Sequence, residues 1–126
     1  MRLEFNEANL VSIPERPGIY IIYDVFGPIY VGRSGRSIQR RLWSHFKGRG
    51  NKNIAIAMAS DARYSLTFSY WLLSVREAKR IEGILIIELG TILFGNLRNE
   101  AAYKKATEDD WDIAVGIARA ANRAPT

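Results

Sequence analysis

Gly18-Ile19-Tyr20-Ile21-Ile22-Tyr23, a turn-prone stretch from Asp24 to Pro28, then Ile29-Tyr30-Val31-Gly32 form the most structured passage of the chain. β-branched and aromatic residues flank a centre rich in turn formers, the pattern of a β-hairpin. Side chains two apart in a strand share a face, so Tyr20 lies with Gly18 and Ile22, opposite Ile19 and Ile21. A register symmetric about Val25 puts Tyr20 beside Tyr30 and Gly18 beside Gly32. A slip by two residues keeps both phenols on one face, whereas a slip by one separates them.

Working outward, Pro14 and Pro17 punctuate the segment before the hairpin, and Gly32 to Ser37 supplies a turn after it. Ile38 to Lys47 then reads as a helix ending at Gly48. Ile38, Leu42 and Phe46 recur every four residues as a core-facing stripe, and Ser37, Arg41 and His45 form a polar stripe about 100° away. Arg41 and His45 therefore project together from the edge of the buried face. Asn51 to Ala59 is a loop or short helix. From Tyr64 to Leu73 the residues Tyr64, Leu66, Phe68, Tyr70 and Leu72 alternate with Ser65, Thr67, Ser69 and Trp71, the clearest strand in the chain.

Arg76 to Leu89 is helical by composition and apolar enough that Ala78, Ile86, Leu89 and Leu93 bracket Glu82 on a helical wheel. A carboxylate so flanked is costly without a cation or donors, and Glu88 has a similar difficulty, so periodicity does not choose between the two acids. Thr107-Glu108-Asp109-Asp110 resembles a capping box that opens a terminal helix running to Asn122, with Arg119 and Arg123 near its end. Trp111, Val115 and Ala118 on that helix are expected to make core contacts.

The chain has 126 residues, 48% hydrophobic and 25% charged, which suits one domain spanning 1–126 with a single core. No separate DNA-recognition domain is expected. The absence of cysteine excludes disulfides, thiolate catalysis and cysteine zinc sites, and one histidine argues against a zinc site of several imidazoles. No apolar run reaches membrane-spanning length, and the first residues lack the cationic-then-apolar design of a secretion signal, so a cytoplasmic protein without a membrane partner is expected.

Charge is unevenly distributed. Between Val25 and Ser60 there is no Asp or Glu, while Arg33, Arg36, Arg40, Arg41, Lys47, Arg49 and Lys52 all fall there; outside it, 11 basic residues face 13 acidic ones, so the whole net charge of +5 comes from this segment. A field so localised suits a polyanion on one face, and nucleic acid is the commonest such partner. The alternative is a solvated basic face with no partner.

Phosphodiester hydrolysis needs an activated water, neutralisation of the phosphate and help for the leaving oxygen. Tyr20 or Tyr30 offers a phenol to hold or deprotonate the water. Arg41 offers paired donors to phosphate oxygens. His45, one turn away, can exchange a proton or orient a phenol. Glu82 can ligate a hard divalent cation such as Mg²⁺, which keeps several waters where few carboxylates bind it.

Taken in order, Gly18-Ile19-Tyr20, Tyr30-Val31-Gly32, Arg41 with His45, Glu82 followed by Leu85-Ile86, and Asn96 resemble the motifs of the GIY-YIG nuclease superfamily, from about Pro17 to Asn96. The resemblance implies an α+β fold, a small three-stranded antiparallel sheet packed with helices, to which this chain adds a C-terminal helix. The motif core is then about 17–99 and the helical extension about 100–126. The resemblance also implies that Tyr20, Tyr30, Arg41, His45, Glu82 and Asn96 are catalytic, that Glu82 rather than Glu88 holds Mg²⁺ or Mn²⁺, and that Asn96 braces the site, with Asn99 close by as an alternative. Val31 replaces the usual Ile, and Arg33 stands where many members carry Lys or a small or polar residue.

The implied activity is metal-dependent endonucleolytic cleavage of DNA, with water activated by a motif tyrosine, Tyr20 slightly favoured, and with His45 in support. Arg33, Arg36, Arg40, Lys47, Arg49 and Lys52 are the candidate nucleic-acid contacts. Because one such centre cuts one strand, duplex cleavage implies a homodimer or two encounters, and a partner protein is a possible source of specificity. The rival is a GIY-YIG-like module in a larger assembly that binds nucleic acid without cutting. A further alternative is an interaction domain whose basic face meets an acidic protein.

Overall fold

The computed structural model describes residues 2–91, 96 and 103–123. At its centre lies the hairpin of β2 (Gly18–Tyr23) and β3 (Pro28–Ser34), with β4 (Thr67–Leu72) on the other side of β2 and β1 (Leu3–Glu4) outside β4. The strand order is β1-β4-β2-β3 and every pairing is antiparallel. Among the described residues the sheet thus has four strands rather than three. The extra one is two residues long, too short for any alternation to register in the sequence.

Tyr20 pairs with Gly32 and Ile22 with Tyr30, so the register is two residues away from symmetry about Val25. The turn explains the shift. The Asp24 carboxylate accepts from the N–H groups of Phe26 and Gly27 at 2.8 and 3.1 Å, Gly27 has φ 141°, and a bulge beside Ile22 and Tyr23 absorbs the odd residue. Parity survives the slip, and both phenols lie on one face. Gly32 permits this closeness, because a Cβ built there would overlap the Tyr20 ring. Gly18 is likewise hemmed in by the Trp71 carbonyl and Ile38.

Every residue of β2 is buried, because the sheet is covered on both sides. On one face Tyr20, Ile22 and Phe68 pack with Leu10, Ile38, Leu42, Ile54 and Met58. These come from the helices α1 (Glu7–Leu10), α2 (Ile38–Phe46) and α3 (Lys52–Met58). On the other face Ile19, Ile21, Tyr23 and Val31 meet Ala78, Ile81, Leu85, Ala114 and Ile117 of α4 (Val75–Glu88) and α5 (Glu108–Ala121). Ser37 caps α2 by accepting from the Arg40 N–H; capping boxes Ser74/Glu77 and Thr107/Asp110 open α4 and α5.

Two expectations are corrected. Tyr64 and Ser65 belong to a 3₁₀ turn, Asp61–Ser65, that precedes β4, because Ser60 caps that turn by accepting from the Ala62 N–H. Val115 is 42% exposed on the outer side of α5 rather than a core residue, while Ala114 and Ile117 supply the buried stripe. Leu93 lies outside the described residues. Among the described residues no helix is long and apolar enough to cross a membrane.

Candidate active site

The site forms at the outer edge of β3, where side chains from α2 on one face and α4 on the other meet around the strand. Tyr20 and Tyr30 stand with ring centroids 6.3 Å apart, and the His45 ring packs edge-on to them at 5.6 and 5.1 Å respectively. His45 is only 1% exposed, since the polar stripe of α2 turns inward at its last turn. Its Nε2 lies 2.7 Å from the Tyr20 hydroxyl, and its Nδ1 is buried without a hydrogen-bond partner among the described residues. Among the described residues nothing else accepts from the Tyr20 hydroxyl, so a donating phenol leaves one orphaned polar group and a receiving phenol leaves two. We therefore assign Tyr20 O–H as donor to Nε2.

Burial governs the titration of these groups. It raises Tyr20 well above the ordinary phenol range, with Tyr30 adding to the rise and Arg41 opposing it. Tyr30 is raised as well, again by burial first, against the pull of Arg41. His45 is pushed down to about 4 by burial and then by the Arg41 charge. The resting triad is thus two phenols and a neutral imidazole.

Because the folded state resists protonating His45 while the unfolded chain takes the proton near the usual 6.5, the unfolded state holds more protons between those values. Stability is complete above pH 6.5 and falls as the pH drops toward 4, by on the order of 3 kcal/mol from this group. Urea unfolding across that window should show the loss in the parent. In His45→Phe it should be smaller by that amount; equal slopes would mean that His45 is not the titrating group.

On the α4 side, Glu82 is held by Arg33, whose Nε donates to Oε1 at 3.2 Å; the two side chains are 36% and 15% exposed. Burial pushes the Glu82 carboxyl up, against the pull of Arg33 and then Arg41. Glu88 is exposed and accepts from the Tyr103 hydroxyl at 3.3 Å. Glu82, with Arg33, Ser34, Gly35, Arg36, Ser37, Arg40 and Arg41, lines an open cleft of about 590 Å³. Ser34 shapes one wall, its Oγ accepting from the N–H groups of Arg36 and Ser37.

Arg41 is exposed, yet its charge acts on Tyr20, Tyr30, His45 and Glu82 alike. It links the cleft to the phenols, which do not themselves line it. Lys47, Arg49 and Lys52 are exposed but do not line the cleft either; the Lys47 ammonium lies 5.7 Å from the Trp43 ring centroid. The Arg33–Glu82 contact was not expected from sequence, where Arg33 read as a phosphate ligand. Forty-nine positions separate the two residues, and no local pattern signals the pair.

Asn96 is buried and grips β3. Its Oδ1 accepts from the Val31 N–H and its Nδ2 donates to the Val31 carbonyl, both at 2.9 Å. The amide thereby satisfies a residue of β3, the edge strand, which among the described residues has no neighbouring strand on that side. Asn99 lies outside the described residues. Asn96→Ala strands two buried backbone groups and is expected to lower unfolding stability by about 2 to 4 kcal/mol. Chemical denaturation checks this, with Asn96→Asp no milder, because it turns a carboxylate oxygen toward the Val31 carbonyl in a buried site.

The donor set suits a hard divalent cation. Among the described residues no group of three His, Cys, Asp or Glu could hold a metal. Glu82 nevertheless presents a half-buried carboxylate to an open cleft, and Mg²⁺ is commonly bound by one or two carboxylates together with waters and substrate phosphate.

The GIY-YIG catalytic domain model matches residues 16–109, and the chain belongs to this family. Its fold is similar to the GIY-YIG N-terminal endonuclease domain of UvrC from Thermotoga maritima. A tyrosine-to-phenylalanine mutant of that domain, bound to its catalytic divalent cation, is 26% identical with a TM-score of 0.55, over 72% of this chain and 93% of that one. The same domain bound to magnesium is 24% identical with a TM-score of 0.55, over 71% and 93%. No match was found among curated proteins.

Proposed function

We propose that the protein is a metal-dependent endonuclease that hydrolyses phosphodiester bonds in DNA. The single observation that carries this reading is the convergence of Tyr20, Tyr30, His45, Arg41 and Glu82 at the edge of β3, on a chain of this family. The similar UvrC domain, described as an endonuclease domain with a catalytic divalent cation, supports both the activity and the cofactor.

Glu82 would hold the cation, Mg²⁺ or Mn²⁺, which when bound supplies charge stabilisation for the phosphate and the departing oxygen. Arg41 donates to phosphate oxygens from the cleft wall, and Arg36 and Arg40 beside it hold the flanking backbone. Tyr20 is the phenol with a proton acceptor attached. Its oxygen takes a proton from the attacking water as its own passes to His45 Nε2, and substrate binding must open a water path to it. Tyr30, the more exposed phenol, orients that water. His45 serves only while neutral, the state that its burial enforces at pH 7.

Supercoiled plasmid incubated with and without Mg²⁺ tests the activity. Nicked or linear product that requires Mg²⁺ supports the nuclease. A salt-sensitive gel shift without cutting supports a binding module instead. Single-strand nicking at the first turnover is expected from one centre, and duplex breaks require a second copy or a second encounter.

A further inference from the structure

Arg33 lines the same cleft as Arg36, Arg40 and Arg41 but does not face it freely, because its guanidinium is spent on Glu82. The contact is specific. Arg33 projects from β3 toward the α4 face, opposite Ile19 in the hairpin register, where Glu82 emerges from α4. The Glu82 side chain is 15% exposed, so its negative charge needs a compensating cation near at hand. Arg41 also bears on it from the other side of the strand.

We propose that Arg33 is an internal stand-in for the divalent cation. In the metal-free chain its guanidinium neutralises and orients Glu82, and it releases the carboxylate when a divalent ion binds. The proposal rests on the reading of Glu82 as metal ligand. Its physical basis is competition: a guanidinium hydrogen-bonded to Oε1 and a dication on the same carboxylate are like charges within contact distance, in a site already facing Arg41, Arg36 and Arg40. Only one of them is balanced by Glu82. The affinity measured for metal is therefore the intrinsic affinity less the cost of breaking the ion pair. A guanidinium is suited to the holding role, being always charged and weakly hydrated.

The competition makes a prediction opposite in sign to that for a supporting residue. Titration of the whole chain with Mn²⁺ alone, following free Mn²⁺ by electron paramagnetic resonance, gives the affinity without any cleavage assay. Arg33→Gln should bind Mn²⁺ roughly five- to tenfold more tightly than the parent, because the competitor is gone. Arg33→Lys, which restores a cation, should return toward parental affinity. Glu82→Gln should abolish the site in every background. Weaker or unchanged binding in Arg33→Gln, with binding still dependent on Glu82, overturns the stand-in role alone. Mn²⁺ binding that does not depend on Glu82, or none at all, overturns the metal reading of Glu82 and the stand-in with it. Far-ultraviolet circular dichroism of each variant confirms that the comparison is between folded chains.

Discussion

Glu82→Gln should lose Mg²⁺-dependent plasmid nicking by about 10³-fold while remaining folded. The substitution keeps the shape of the side chain and removes the one charge that the cleft offers to a cation. A divalent ion at a phosphoryl centre supplies several kcal/mol of charge stabilisation, and each 1.36 kcal/mol is tenfold in rate; losing it costs roughly three decades. Folding should suffer little. Burial already disfavours the ionised Glu82 carboxyl, and a neutral amide can still accept from Arg33 Nε. The check is nicking rate against Mg²⁺ concentration, alongside thermal melting of both proteins. A variant that cuts at the parental rate removes Glu82 from the mechanism. Glu88→Gln is the control, because Glu88 is exposed, accepts from Tyr103 and lines no part of this cleft.

Periodicity could not separate these two acids, since both sit among apolar neighbours on one helix. What distinguishes them is the sheet edge that α4 crosses, a property of tertiary packing. The same division holds elsewhere in the chain. The β pattern of β2 and β3 was legible, and with it a shared face for Tyr20 and Tyr30 in any register except one slipped by a single residue, which the pairing of Ile22 with Tyr30 excludes. The exact register was not, since it depends on the Asp24 carboxylate and a bulge that composition does not encode. Arg41 and His45 were legible as a pair on one helical stripe, yet their opposite fates were not: one is exposed in the cleft and the other is buried behind it. β1 escaped notice because its existence depends on pairing with β4 rather than on two residues' propensities. The basic segment was visible as a block, but folding splits it into a cleft group, Arg33, Arg36, Arg40 and Arg41, and an outlying group, Lys47, Arg49 and Lys52.

Arg41→Ala should reduce cleavage by about 10²- to 10³-fold, the cost of removing a charged donor from a developing phosphorane. Because Arg41 is exposed and its removal opens no cavity, stability should change by less than about 0.5 kcal/mol. The loss should divide into two measurable parts. DNA affinity weakens and the slope of log affinity against log salt becomes shallower by about one, as for a single phosphate contact. The remainder appears in turnover, because Arg41 also shapes the phenols and imidazole behind it. Its charge lowers both tyrosines and His45; without it the phenols become harder to ionise and His45 accepts a proton at higher pH. The acid limb of the cleavage profile, set by the need for a neutral imidazole, should therefore move upward in pH. Arg41→Lys keeps the charge and should hold that limb near its parental position, while still losing rate because an ammonium cannot offer the paired donors of a guanidinium. An acid limb that stays fixed in Arg41→Ala would mean that His45 does not take part in proton transfer, and would confine Arg41 to holding the phosphate.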